Sequence, residues 1–190
     1  MAYIDYDALL SDVNFNEVDL TDTNENNELP DGYYLCEVQE AEIGPNKDKT
    51  NDQAFFQLKV VEPGFAVVKD EDGNVTYPEI ANSANRVIFK YYPFKGTDKK
   101  ATSLVYKDEA TGKWKPGQFL CDTQLFLDAN DNPLLEKEAF MYKETANEAL
   151  AVLVGCRIYV KIETKEYNGQ SSQFKNLVSL ARMEKLLGSN

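Results

Sequence analysis

The sequence predicts a mainly β, antiparallel fold with one or two helices, and three observations carry that expectation. Aromatic residues make up 12% of the 190 residues, and they stand beside many Val, Ile and Thr, the side chains that suit a pleated, half-buried surface. Several segments alternate apolar and polar residues with a period of two, as a strand buried on one face must. Turn-forming dipeptides, Asn168-Gly169 above all, separate those segments.

The first element is an acidic arm. Residues 1–31 carry nine acids (Asp5, Asp7, Asp12, Glu17, Asp19, Asp22, Glu25, Glu28 and Asp31) and no Lys or Arg, a composition that buries too little apolar surface to offset the entropy of ordering. Within it "YIDYDALLSDVNF" has the pattern of a short amphipathic helix. Residues 1–28 are therefore expected to form the arm, and residues 29–190 a single domain, a length able to bury a real core.

The body opens with "LPDGYYLCEVQEAEIG", a Pro-Asp-Gly turn running into a strand that Gly44 and Pro45 stop. After a polar loop, "QAFFQLKVVEPG" forms its antiparallel partner, with Ala54, Phe56, Leu58 and Val60 on one face and Phe55, Gln57 and Lys59 on the other. Residues 65–85 hold Asp72-Gly73-Asn74, the turn of a small excursion hairpin. In "NRVIFKYYPF", the third long strand, Val87, Phe89 and Tyr91 share one face and Ile88, Lys90, Tyr92 and Phe94 the other. A basic loop with Lys95, Lys99 and Lys100 follows.

"VYKDEATGKWKPGQFL" reads as another hairpin, and "GQFLCDTQLFLDA" approaches helical spacing. Pro133 to Leu153, rich in Ala, Glu and Leu, is expected to be helical in part. Two last strands flank Asn168-Gly169, and "LARMEKLL" closes as a short helix. "DANDNP" at 128–133 has acids but lacks the central glycine and final glutamate of a calcium loop, so it reads as a turn.

Several functions are disfavoured. The chain has no histidine, which removes the commonest general base and every His-containing zinc site, and there is no CxxC pair. No phosphate-binding glycine motif is present. No cofactor, no metal and no enzymatic activity are expected. The three cysteines, Cys36, Cys121 and Cys156, lie far apart in apolar contexts and read as reduced, buried thiols. The absence of an apolar run of about 18 residues and of a leader pattern predicts a cytoplasmic protein with no membrane contact.

The net charge of −12 is unevenly spread. From Gly155 onward Arg157, Lys161, Lys165, Lys175, Arg182 and Lys185 outnumber Glu163, Glu166 and Glu184. In that segment "RIYVKIETKEYN" sets Ile158, Val160 and Ile162 against Arg157, Tyr159 and Lys161. Cations alternating with aromatics on an outward strand face suit single-stranded nucleic acid, which needs charge for its phosphates and flat surfaces for its bases. Phe55 with Lys59, Lys90 with Tyr92, and Arg157 with Tyr159, Lys161, Lys165 and Tyr167 are the candidate binding residues. The competing reading makes Tyr159 and Tyr167 members of cross-strand pairs and the cations ordinary solvated charges.

In order, Leu29, Pro30, Gly32 and Tyr34 before the first strand, and Gly155, Arg157, Tyr159, Val160, Glu166, Tyr167, Asn168 and Gly169 in the last hairpin, resemble bacteriophage-encoded single-stranded DNA-binding proteins. The likeness covers roughly residues 30–64, 86–94 and 150–180. It implies an oligonucleotide-binding (OB) β-barrel, with insertions at 65–85 and 96–149, that protects single-stranded DNA during phage replication or recombination in the host cytoplasm. Phage or host replication and recombination proteins would meet the acidic arm, and a homo-oligomer is compatible with such a fold. The acids here sit at the N-terminus rather than in the C-terminal tail common in that class. The overall acidity supports an alternative, an inhibitor that imitates DNA and blocks a host nuclease or CRISPR effector.

Overall fold

The computed structural model describes residues 28–94 and 104–188. In chain order its strands are β1 (Gly32–Pro45), β2 (Asp52–Val60), β3 (Gly64–Phe65), β4 (Val68–Lys69), β5 (Val75–Thr76), β6 (Glu79–Ile80), β7 (Val87–Pro93), β8 (Val105–Lys107), β9 (Trp114–Pro116), β10 (Arg157–Tyr167) and β11 (Gln170–Val178). Helices α1 (Gln118–Thr123), α2 (Lys143–Ala151) and α3 (Leu180–Leu187) and a 3-10 segment at Lys137–Met141 complete the set. The expected amphipathic helix in the arm and the basic loop of Lys95, Lys99 and Lys100 lie outside the described residues.

Strand β1 organises the main sheet, whose order is β11-β10-β1-β2-β7 with antiparallel neighbours. Its first half pairs with β10, from Gly32 opposite Ile162 to Glu37 opposite Arg157. Its second half pairs with β2, from Cys36 opposite Val60 to Pro45 opposite Asp52. The register slips between Val38 and Glu40, leaving Gln39 as an extra residue, and such a bulge bends a strand. The slip also shifts parity: Tyr34, Cys36 and Val38 point inward before it, Ala41 and Ile43 after it. Beyond the reach of β10, the Asn147 side chain from α2 accepts from the Ile43 N–H (2.7 Å) and donates to its carbonyl (3.1 Å), covering that open edge.

Inward faces meet around Phe56, whose ring lies 5.9 Å from Tyr92, 6.2 Å from Phe119 and 5.9 Å from Phe126. Each fully buried side chain of this kind contributes roughly 1.5–3 kcal/mol. The segment 96–149, expected to be an insertion, thus supplies part of the core through its described residues 104–149, with Phe119, Phe126, Phe140 and Ala146 buried. Residues 64–80 do more than make the expected hairpin of β4 and β5: β3 joins β1 at Tyr33 and β6 joins β3.

The "LPDGYY" residues have local duties. Leu29 is buried, the Tyr34 hydroxyl donates to the Pro30 carbonyl (2.6 Å), and the Asp31 carboxylate accepts from the Thr164 N–H (2.9 Å) and hydroxyl (2.7 Å). A Cβ at Gly32 would stand 2.8 Å from the Phe65 carbonyl oxygen and 2.5 Å from an Ile80 methyl, so glycine is required for the close approach of β3. At the other matched motif, Asn168 (φ 52°) and Gly169 (φ 75°) both take left-handed backbone, as the expected tight hairpin between β10 and β11 demands.

Three expectations need correcting or completing. No closed barrel forms: among the described residues β7 and β11 share no backbone ladder. Instead Lys90 Nζ donates to the Lys175 carbonyl and Lys175 Nζ to the Phe89 carbonyl (3.3 Å), so lysine side chains occupy the gap where a ladder would run. Cys36 is buried and Cys156 half-buried, but Cys121 is exposed, because it faces away from the buried side of α1 that carries Phe119, Asp122 and Thr123. The 128–133 segment is a turn, with the Asp128 carboxylate accepting from the N–H groups of Asn130 (2.7 Å) and Asn132 (2.9 Å). Among the described residues no helix is long and apolar enough to cross a membrane.

Candidate nucleic-acid interface

Register fixes what the outer face of the main sheet carries. Across four strands Arg157, Glu37, Lys59 and Val87 form one row. The next row toward the C-terminal end of β1 is Glu40, Gln57 and Phe89, and the one after it Glu42, Phe55 and Tyr91. In the opposite direction lie Leu35 and Tyr159, then Tyr33 and Lys161. In the first of these rows Glu37 stands opposite both Arg157 and Lys59, so the row mixes charges of both signs.

Helix α3 divides this face. Ser179 caps it, accepting from the Arg182 N–H (3.3 Å), and Met183 is buried beneath it beside Leu35 and Tyr159. Tyr159 therefore points outward, as expected, yet is half-buried, with its ring 6.3 Å from Phe65 in a T-shaped contact. Burial, then Glu62 and Glu184, push its hydroxyl pKa up. Lys161 is spent locally. It pairs with Glu163, which raises the lysine's pKa and lowers the glutamate's, and it lies 5.7 Å over the Tyr33 ring.

The β7 expectation is overturned. Lys90 and Tyr92, read as outward, face the core. Lys90 has 12% of its side chain exposed and lies 3.4 Å from Asp122, itself 3% exposed, while the Tyr92 hydroxyl donates to the same carboxylate (2.6 Å) and Gln118 to its other oxygen (2.6 Å). Burial lowers the Lys90 pKa, opposed by Asp122, and burial with Asp122 raises that of Tyr92. A lysine normally marks an outward face. Here a carboxylate from a distant helix makes the inward placement tolerable, and nothing local in "VIFKYYPF" shows it.

Turning β7 over brings its other residues to the surface. Phe89 and Tyr91 are 41% and 55% exposed, their rings stacked with centroids 6.2 Å apart and planes 14° apart. Phe55, half-buried on β2, follows at 6.1 Å from Tyr91. The two faces of β7 are the ones its alternation separates, with the outward and inward sides exchanged. Across the gap, Phe174 is exposed on the outer face of β11, with Lys165 Nζ 5.4 Å from its ring centre. Tyr167, 78% exposed, stands by the hairpin turn. Phe55, Lys165 and Tyr167 thus remain available alongside Phe89, Tyr91 and Phe174, which the sequence does not single out, whereas Lys175, opposite the buried Ile162, springs from the inner side of β11 and reaches the seam with its ammonium group. Arg157 is exposed and Lys59 half-buried in the mixed-charge row.

The arrangement offers stacking surfaces and ammonium groups. Among the described residues no cluster of His, Cys, Asp or Glu could hold a metal ion. No protein-family model matches the chain, and a search of curated proteins finds no match.

Proposed function

We propose that the protein binds single-stranded nucleic acid without catalysis, as a bacteriophage single-stranded DNA-binding protein that protects strands exposed in replication or recombination. The observation that carries this reading is the bare Phe89–Tyr91 stack continued by Phe55. Exposed aromatic rows are costly unless something covers them, and unstacked bases gain roughly 1–3 kcal/mol each on such rings. The ring positions support the OB reading as well. That fold is a partly open five-stranded barrel whose second and third strands form the binding face, and β1, β2, β7, β10 and β11 supply five long strands in a compatible order, with the aromatics on β2 and β7. The acidic arm is the proposed contact for replication or recombination proteins.

A second reading rests on Glu40 and Glu42, exposed on the outer face of β1 beside the aromatic row. Such carboxylates suit an inhibitor that imitates DNA toward a basic protein. Fluorescence anisotropy with a labelled thirty-residue oligothymidine at two salt concentrations tests the first reading. Micromolar or tighter binding that weakens with salt is expected; no binding at low salt would remove it and leave the inhibitor reading standing.

A further inference from the structure

The edges of the main sheet approach each other at β7 and β11 through two lysines, and those lysines are not equivalent. Lys90 is buried and committed to Asp122. Lys175 is half-buried and, among the described residues, has no carboxylate within ion-pair distance. Its ammonium group instead donates to the carbonyl of Phe89 at 3.3 Å, a distance beyond the usual N–H···O range. Phe89 is also the residue whose ring lies bare in the aromatic row. A cation with one weak neutral acceptor therefore sits at the backbone of a stacking residue, on the seam between the Phe89–Tyr91 side and the Phe174–Lys165 side.

We propose that Lys175 is the phosphate contact for a nucleotide stacked on Phe89, and that in the free protein the same ammonium group clasps the β7–β11 seam. The inference rests on the nucleic-acid reading above and adds a residue and a switch of partner to it. A phosphate oxygen is a charged acceptor, and hydrogen bonds to charged acceptors are shorter and roughly twice as strong as those to neutral ones. Lys175 leaves β11 on the inner side, opposite Ile162, and its ammonium group already lies at the open seam, so exchanging the Phe89 carbonyl for a phosphate on the outer side asks the lysine side chain alone to turn outward through the gap, with both strands left in place. Lys90 cannot do the same, because leaving Asp122 would strand both charges in the core.

The test compares wild type, Lys175→Gln, Lys175→Arg and, as a control on the remote β4–β5 hairpin, Lys69→Gln. Oligothymidine affinity is measured across a salt series, and amide hydrogen exchange of 87–93 and 170–178 is measured without ligand. Loss of one phosphate contact lowers the slope of log affinity against log salt by about 0.7 for a single strand. Lys175→Gln is expected to show that drop, Lys175→Arg to restore the slope, and Lys69→Gln to leave it unchanged. Lys175→Gln should also exchange faster along both seam strands while the rest of the sheet keeps its protection. A wild-type slope in Lys175→Gln, in a protein where Phe89→Ala still weakens binding, would overturn the phosphate contact and leave the proposed function intact. Failure of wild type to bind would overturn both, and unchanged seam exchange would overturn the clasp.

Discussion

On β10 the outward aromatic of the paired central part of the strand, Tyr159, lies against α3 and Phe65, whereas on β7 the outward aromatics, Phe89 and Tyr91, lie bare, as does Tyr167 at the far end of β10 beyond the helix. The two strands belong to one sheet and expose the same outer face. What separates them is eight residues of helix: "LARMEKLL" lays Met183 over β1 and β10, and no described element does so over β7. An aromatic on a strand face becomes a structural residue or a binding residue according to what packs over it, and its own strand does not decide which.

That contrast can be attacked at its supports. The largest effect belongs to the core side of β7: Asp122→Ala leaves Lys90 a buried, unpaired charge and takes the partner of Tyr92 and Gln118, so urea unfolding should show a loss of roughly 3–5 kcal/mol. An outward Lys90 would make the same substitution nearly silent. Met183→Ala removes the buried anchor of α3 and should cost roughly 2–5 kcal/mol, while nucleic-acid affinity per folded molecule stays unchanged. Phe89→Ala and Tyr91→Ala should reverse that pattern, each weakening binding by roughly 1–3 kcal/mol, with melting temperatures close to wild type. Smallest is Lys161→Ala. Its pair with Glu163 is partly exposed and is worth under about 1 kcal/mol, and with its charge already matched the salt slope of binding should hold.

Much of the fold could be read from alternation and turns. The pairing of β1 with β2, the inward set Ala54, Phe56, Leu58 and Val60, the Asn168-Gly169 hairpin and the closing helix all follow from rules with a reach of a few residues. What could not be read depended on partners far along the chain. Lys90 faces inward because Asp122 waits there, 32 positions later. Tyr159 is half-buried because Met183 returns over it. The bulge at Gln39 breaks the alternation of β1 midway, and it makes sense only once β10 and β2 are both in place. Of the expected site residues, Phe55, Lys165 and Tyr167 stand near the bare face, whereas the two sides of β7 are the reverse of those its local sequence suggests.

The most direct measurement is a side-by-side titration of labelled oligothymidine with Tyr159→Ala and with the double variant Phe89→Ala/Tyr91→Ala, each checked for its melting temperature. The account predicts that the double variant loses at least tenfold in affinity, the equivalent of about 1.4 kcal/mol, and melts near wild type, while Tyr159→Ala melts lower and binds normally. Normal binding by the double variant, with affinity lost in a fully folded Tyr159→Ala, would place the platform on β10 and contradict it.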